Sequence, residues 1–245
     1  MLAVGLWCDK VLLGDTTVCG DEKHRHYSSA GVGMGLISDA VFAELGLFDR
    51  PTGQARAMQT LESLRSRWPK EKAHGYYAHW VSAPDFTPPA STSTVDTAEM
   101  ALGALFAGNY FGGEVASAAQ LLVGNISWAA AISNNTILGS FDFDGGKGSG
   151  GFKPFNEYYT VSYLADVYSK SASAPAAVYF DRYWGRTRKP TNQQGCPAFA
   201  EAFGYELMTG GCTSAAKPPK LSHFVSSFAP LFNHVSYPPS PCALM

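Results

Sequence analysis

The stretch STSTVDTAEMALGALFAGNYFGG, residues 91–113, decides the fold. It begins with small polar residues, of which Ser93 or Thr94 can cap the start of a helix. The glycine pair at 112–113 ends the segment. Between these limits, apolar residues recur at the spacing of one helical face. The pattern therefore predicts a helix whose buried side is formed by Val95, Ala98, Leu102 and Leu105.

Two carboxylates, Asp96 and Glu99, lie in the first turns of this helix. Because they are three residues apart, they share one helix face. A further acid, Glu157, opens another predicted helix within PFNEYYTVSYLADVY, residues 154–168. A single acid at a helix start is usually explained by its interaction with the helix dipole. The repetition of the arrangement at two helices weakens that explanation and makes the three acids candidate catalytic residues.

The rest of the chain continues the helical pattern, with no convincing strand run. A first helix is predicted over about 29–48, and the small residues at its start suggest a close approach to another helix. A second begins at Pro51 and stops before Pro69. A fourth follows Gly113 and extends past Ile126 to Ala129, a fifth begins at 156–157, a sixth follows Pro175, and a seventh begins near Leu221. The buried side of the first helix is predicted to consist of Met34, Ile37, Val41 and Leu45.

Short links inside helix pairs and long connections between them predict an all-α array of antiparallel hairpins. In such an array every odd helix starts at the same rim, so Tyr27, Asp96 and Glu157 are expected to gather at one end. The glycine-rich segment 141–151 is expected to be a flexible loop there. Acids from separate helices beside aromatic residues favour a carbohydrate cleft, because glycosidic cleavage classically uses two carboxyl groups.

Composition sets further bounds. With 245 residues the chain can bury a large core, and its net charge of −2 with 16% charged residues argues against a nucleic-acid surface or a disordered tail. No apolar run reaches the length of a membrane span. We expect no cofactor and no metal, since the five cysteines have no metal-binding spacing. Cys196 and Cys212 could pair in an oxidising compartment. The compartment stays open, and secretion is one of the options.

Several short motifs, in fixed order, resemble the glycoamylase-like helical domain, a group that includes the endo-β-1,2-glucanases of glycoside hydrolase families 144 and 162. The motifs are SSAGVGMGL at 28–36, HGYY at 74–77, STVDTA at 93–98, YF at 110–111, ISW at 126–128, NEY at 156–158 and YLA at 163–165. The resemblance covers roughly residues 27–233. It implies an (α/α)6-like toroid, and inverting acid/base hydrolysis of a β-glucan, with β-1,2-glucan as the expected substrate.

The resemblance also implies roles for individual residues. Glu157 matches the position of the general acid, and Asp96 and Glu99 match acids that line the sugar cleft. Substrate contacts are expected from aromatic and histidine side chains near this end of the array, whereas Trp128 at helical spacing is expected in the core. The candidate substrate-binding residues are His74, Tyr76, Trp80, Phe155, Tyr158 and Trp184.

The chain departs from the pattern in length. A six-hairpin toroid needs twelve helices, whereas about seven are predicted in a domain at 27–236, between an irregular segment at 1–26 and a proline-rich tail at 237–245. The family's second catalytic acid belongs to the later half. A non-catalytic or truncated carbohydrate-binding remnant is therefore an alternative, as is a helical interaction scaffold. The expected partner is an oligo- or polysaccharide. Self-association could cover the open toroid, and neither nucleic acid nor a membrane is expected as a partner.

Overall fold

The computed structural model describes residues 5–8, 26–82, 85–87, 91–133, 136–150, 158–168, 199–202 and 205–208. Within these ranges the chain forms five α-helices, a 3-10 helix at Trp128–Ala131, and short strands that pair two by two. The helices are α1 (Ser29–Glu44), α2 (Arg50–Ser66), α3 (Thr94–Phe111), α4 (Gly113–Gly124) and α5 (Tyr159–Tyr168). The predicted sixth and seventh helices lie outside the described residues.

The helices form two layers. In one layer α3 lies between α1 and α5, and in the other α2 packs against α4. Each helix of the second layer also packs against the helix that precedes it in the chain, α2 on α1 and α4 on α3. Consecutive helices therefore form hairpins that stand side by side, as the all-α toroid prediction requires. Among the described helices, none is both long enough and apolar enough to cross a membrane.

The contact between α1 and α3 is made by backbone against backbone. A Cβ atom added at Gly103 would lie 2.1 Å from the carbonyl oxygen of Gly33, and one added at Gly33 would lie 2.6 Å from the carbonyl oxygen of Glu99. Only glycine fits at this separation. The expectation that small residues at the start of the first helix permit a close approach is confirmed.

The same contact overturns the predicted buried side of α1. Met34, Val41 and Leu45 are 36%, 39% and 68% exposed. The buried face instead combines small residues with two larger apolar side chains, because a partner helix that touches the backbone leaves little room for bulk. Its members are Ser29, Val32, Gly33, Gly35, Leu36, Asp39 and Ala40. The buried face of α3 also differs from the prediction. Val95 and Ala98 are buried as predicted, but Leu102 and Leu105 are only partly buried. The fully buried positions beside them are taken by the small residues Ala101, Ala104 and Ala107.

Several helix ends differ from the prediction. α1 ends at Glu44 rather than near residue 48, and α2 ends at Ser66. α4 ends at Gly124, where Asn125 is its C-cap, so Ile126 and Ala129 lie beyond the helix. Ile126 is still buried. Apolar residues at helical spacing thus continued past the true end of α4 because the chain after it also packs into the core.

Short antiparallel strand pairs connect the helices, which the sequence did not predict. β1 (His26–Ser28) pairs with β2 (Trp80–Ser82), and β3 (Ile132–Ser133) pairs with β4 (Thr136–Ile137). β5 (Ser140–Phe141) pairs with β6 (Gly148–Ser149). A hairpin of β7 (Phe199–Ala202) and β8 (Tyr205–Met208) lies in a region predicted to be a long connection.

The β5–β6 hairpin replaces the flexible loop that was predicted for the glycine-rich segment. The carboxylate of Asp142 accepts hydrogen bonds from the backbone N–H groups of Gly145, at 2.8 Å, and Lys147, at 3.2 Å. These N–H groups lower the pKa of Asp142. Gly146 has a φ of +63°, in the left-handed region that the turn needs. The aspartate and the glycines are therefore explained by a tight turn.

A buried ion pair joins α1 to α2. The Asp39 carboxylate is fully buried and accepts a hydrogen bond of 2.7 Å from Nε of Arg56, whose guanidinium also lies 5.1 Å from the ring centroid of Trp7. Trp7 covers Gly35, so the segment 5–8 packs directly on α1. The adjacent Cys8 is disulfide-bonded, and the other four cysteines all lie outside the described residues.

Candidate functional site

The start of α3 is the centre of the candidate site. Ser93 is the N-cap, and its hydroxyl accepts a hydrogen bond of 3.2 Å from the backbone N–H of Asp96. The Ser93 hydroxyl in turn donates to Oδ2 of Asp96. This reciprocal capping fixes the carboxylate at the helix N-terminus, where the unpaired N–H groups favour negative charge.

An extended segment, residues 77–79, runs along one side of this helix start. The backbone N–H of Ser93 donates to the carbonyl of Tyr77 at 3.1 Å, and the N–H of Tyr77 donates to Oγ1 of Thr97 at 3.1 Å. Ala78 forms an isolated bridge with Thr92. The first turn of α3 is therefore tied to the segment that leads into β2.

Residues 138–141 lie against the same helix start. Oγ1 of Thr94 donates to the carbonyl of Leu138 at 2.6 Å, and the N–H of Thr94 donates to the carbonyl of Gly139 at 3.0 Å. Thr92 exchanges hydrogen bonds with the backbone of Phe141. The position of Asp96 is thus determined by two separate segments as well as by its own helix.

The start of α1 meets this site through His79. The backbone N–H and the hydroxyl of Ser29 both donate to the carbonyl of His79, at 2.9 and 3.2 Å. In the β1–β2 pair Tyr27 lies opposite Val81, and Ser28 lies opposite Trp80. α1 and α3 therefore start at the same end of the array, which confirms the prediction for Tyr27 and Asp96.

His79 itself faces the carboxylate. Its Nε2 lies 3.5 Å from Oδ1 of Asp96, with side-chain exposures of 51% for the histidine and 16% for the aspartate. His79 is not among the residues predicted from the sequence, although it stands directly before Trp80 in the same segment as His74. A histidine adjacent to a tryptophan was the available signal, but nothing in the sequence places this histidine against Asp96.

Trp80 offers the aromatic surface at this rim. It is 38% exposed, whereas Tyr27 is fully buried and stacks on Phe86 with ring centroids 6.5 Å apart. Exposed aromatic faces can stack on sugar rings, so the sugar contact of Trp80 stays a prediction, whereas the buried Tyr27 belongs to the core.

Tyr76 does not fit a direct substrate contact. Its side chain is fully buried, and its hydroxyl donates a 3.0 Å hydrogen bond to the carbonyl of Trp128. Burial, with the charge of Glu71 acting in the same direction, raises the pKa of Tyr76 well above its ordinary value. Trp128 is also buried, as expected, and packs edge-on against Tyr76. These two aromatic residues form the core beneath the site.

His74 lies at the edge of this core, in a turn that a buried carboxylate organises. The Glu71 side chain accepts hydrogen bonds from the N–H groups of Ala73 and His74, both at 2.7 Å, and of Tyr76 at 3.2 Å. The His74 ring is half-buried, 4.9 Å from the ring centroid of Phe141. Glu71 was not predicted, because an acid in a loop gives no sequence signal of burial.

The remaining predicted site residues are placed only in part. Glu99 lies one turn after Asp96 and is partly exposed, and Tyr158 is partly buried against the core just before α5. Phe155, Glu157 and Trp184 lie outside the described residues. The structure thus places the His79 side chain against Asp96, and Trp80 follows His79 in the chain. Across the part of the chain that is described, no three metal-binding side chains are grouped.

Comparison with known proteins identifies the fold. Neither a protein-family profile nor a curated protein sequence matches the chain. Among solved structures, it matches the endo-β-1,2-glucanase from Chitinophaga pinensis, in complex with sophorotriose and glucose, with a TM-score of 0.60 at 20% identity, over 84% of this chain and 48% of that one. It also matches the β-1,2-glucanase from Parabacteroides distasonis, with a TM-score of 0.57 at 17% identity, over 76% of this chain and 30% of that one.

The same fold is found with another activity. A D-mannose isomerase matches with a TM-score of 0.52 at 18% identity, over 72% of this chain and 47% of that one. The likeness therefore concerns architecture, since one fold can carry different chemistries. The chain spans less than half the length of each of these structures. It has the helical toroid fold of the glycoamylase-like β-1,2-glucanases, over that part of their length.

Proposed function

We propose that the chain contributes to the sugar cleft of a glycoside hydrolase that acts on a β-glucan, with β-1,2-glucan as the substrate. The observation that carries this proposal is the rim at the shared start of α1 and α3, where a capped carboxylate lies 3.5 Å from a histidine that directly precedes an exposed tryptophan in the chain. Asp96, His79 and Trp80 supply these three groups. The proposal is supported by the resemblance of the motifs and by the fold shared with two β-1,2-glucanases.

The geometry favours an acceptor role for Asp96. Oδ2 accepts a hydrogen bond from the Ser93 hydroxyl, and Oδ1 faces the His79 imidazole. A carboxylate surrounded by donors suits the binding of a sugar hydroxyl or the activation of a water, rather than proton donation. Glu157 is the general acid in this proposal, and Glu99 is a second acid lining the cleft. Inverting hydrolysis needs an acid and a base about 6.5–9.5 Å apart, with a water between them.

A non-catalytic sugar-binding protein is the second candidate. It is favoured by the length of the chain, which spans 48% of the Chitinophaga pinensis enzyme and 30% of the Parabacteroides distasonis enzyme. Binding would then use the rim of Trp80, His79 and Asp96 without turnover. A helical scaffold that binds proteins instead of sugars is a third outcome of the same experiment.

The test is incubation of the purified full chain with linear β-1,2-glucan, and separately with β-1,3-, β-1,4- and β-1,6-glucans, while new reducing ends are measured. We expect release from the β-1,2-linked polymer, reduced about 100-fold or more in Glu157→Gln, as for loss of a general acid. Asp96→Asn should also lose activity. Glu62→Gln is the matched control, because Glu62 pairs with Arg65 on the exposed surface of α2.

Each result distinguishes the candidates. Release that survives in Glu157→Gln would contradict the assigned acid. Binding of the oligosaccharide without release, weakened by Trp80→Ala, would favour the non-catalytic protein. A folded chain that neither cleaves nor binds any of the glucans would overturn the proposal, and capture of a protein partner by that chain would favour the scaffold.

A further inference from the structure

We infer that His79 is a positioning residue for Asp96 and thereby determines how tightly the rim holds a sugar. This inference rests on the proposed function for its ligand, a β-1,2-linked gluco-oligosaccharide, but its structural part is independent of the ligand. The side chain approaches Asp96 with Nε2 at 3.5 Å from Oδ1.

The backbone of His79 is held more firmly than its exposure suggests. Its carbonyl accepts two hydrogen bonds from Ser29, and the residues on either side, Ala78 and Trp80, are each paired with another segment. Because the backbone is fixed from both sides, the point from which the imidazole extends towards Asp96 is fixed as well. His79 therefore connects the start of α1 to the carboxylate at the start of α3.

The carboxylate is placed between two donors. The Ser93 hydroxyl donates to Oδ2, and His79 Nε2 lies 3.5 Å from the other oxygen, Oδ1. A separation of 3.5 Å is longer than a good hydrogen bond, so the contact between His79 and Asp96 is weak at this distance. Catalytic hydrogen bonds are often long in the free protein and shorten when substrate binds. A sugar hydroxyl on the free lone pair of Oδ1 would then be oriented by the imidazole.

His79→Phe and His79→Gln separate this role from simple packing. Phenylalanine keeps an aromatic ring of similar size but removes the donor. Glutamine loses the ring, but its amide nitrogen can reach the place of Nε2. In the full chain, His79→Phe should raise the Kd for a linear β-1,2-linked glucose trisaccharide about tenfold, as expected for a lost hydrogen bond to a charged group. His79→Gln should recover most of that affinity.

A double-mutant cycle shows whether His79 acts through Asp96. In an Asp96→Asn background, the further change His79→Phe should alter Kd by less than about twofold, because coupled residues are not additive. In a Glu62→Gln background it should keep its full effect. An undiminished effect in the Asp96→Asn background would mean direct sugar contact and would overturn the positioning role.

A measurement without sugar keeps the inference separate from the proposed function. The imidazole NMR resonances of His79 are assigned by their loss in His79→Gln. They should move in Asp96→Asn and stay in place in Glu62→Gln. If the His79 resonances do not shift in Asp96→Asn, the inference is overturned whether or not sugar binds. Resonances that respond, in a folded chain that does not bind the trisaccharide, overturn the proposed function and with it the assigned ligand.

Discussion

Replacing Gly103 by alanine tests the contact on which the arrangement of α1 and α3 depends. The new methyl group would lie 2.1 Å from the carbonyl oxygen of Gly33 and 2.7 Å from its Cα. Both are backbone atoms, so no side chain can rotate away. Relief requires α1 to move away from α3 by more than 1 Å, roughly the difference between this distance and an ordinary carbon–oxygen contact of about 3.3 Å.

The expected cost follows from two opposing effects. Overpacking of a close-packed interior costs about 1–3 kcal/mol, and a contact between two backbones belongs at the upper end. Alanine is better than glycine in a helix interior by about 1 kcal/mol. The free energy of unfolding should therefore fall by about 2 kcal/mol. In a chain of 245 residues this corresponds to a decrease in Tm of about 4–8 °C.

Gly124→Ala is the matched control, because Gly124 is also in a helix but no atom lies within 4 Å of the added Cβ. That substitution should leave stability unchanged or raise it by up to about 1 kcal/mol. Both variants are measured by urea unfolding and thermal melting, followed by circular dichroism. If Gly103→Ala proves as stable as the native chain, the close approach of α1 and α3 is wrong.

Two buried carboxylates give further predictions. Glu71→Gln should lower the free energy of unfolding by about 1–3 kcal/mol in urea melts. The reason is that the amide NH2 would face backbone N–H groups that now donate hydrogen bonds to the carboxylate. Unchanged stability would refute the role of Glu71 in organising this turn. Asp39 is predicted to affect the pH dependence of stability. Burial raises its pKa, against the opposing effect of Arg56, so the folded state keeps the proton to higher pH than the unfolded state does. The contribution of Asp39 to the free energy of unfolding should therefore decrease as pH rises from the ordinary pKa of 3.8 through the raised pKa of the folded state. Urea melts at a series of pH values across this range measure the effect, and Asp39→Asn should abolish this decrease. Identical pH profiles for the two chains would contradict it.

The helices were predictable because capping residues and glycines mark where they begin and end. Ser93 caps α3 as predicted, and Gly112, with a φ of +75°, ends it. The order and pairing of the described helices follow from the short links inside the hairpins. The resemblance of short motifs to the glycoamylase-like domain implied that these hairpins form a toroid, and the similar solved structures agree with that architecture.

Which face of each helix is buried was less predictable, because a prediction from the spacing of apolar residues takes the large apolar side chains to be the buried ones. In α1 the buried contact is made by Gly33 against a glycine of α3, and the larger Met34 and Val41 are left outside. Whether a small residue such as Gly33 packs directly against another helix depends on a helix that is distant in the sequence, here α3. The strands were missed for a related reason, since pairs of two to four residues, such as β1 and β2, are too short to show alternation.

The candidate site was predictable as a place but not as a set of partners. Asp96 and Trp80 were selected from the sequence, whereas His79 and Glu71 became visible only through contacts with other segments. Tyr76 shows the reverse error. A tyrosine in a polar loop predicts an exposed contact, but its hydroxyl is satisfied by the carbonyl of Trp128, which lets the whole side chain be buried.

The hydroxyl-rich run TSTVDT at 92–97 explains why the site is held so firmly. A helix needs one cap, yet this run carries four hydroxyl groups, and each has its own partner. Thr92 and Thr94 bind the segment at 138–141, Ser93 binds Asp96, and Thr97 donates to the Ser93 carbonyl while accepting from the N–H of Tyr77. A helix cap alone would fix the direction of α3. Hydrogen bonds to segments on two sides also fix its position, and a functional carboxylate needs both, because catalytic geometry tolerates errors of only about 0.5 Å.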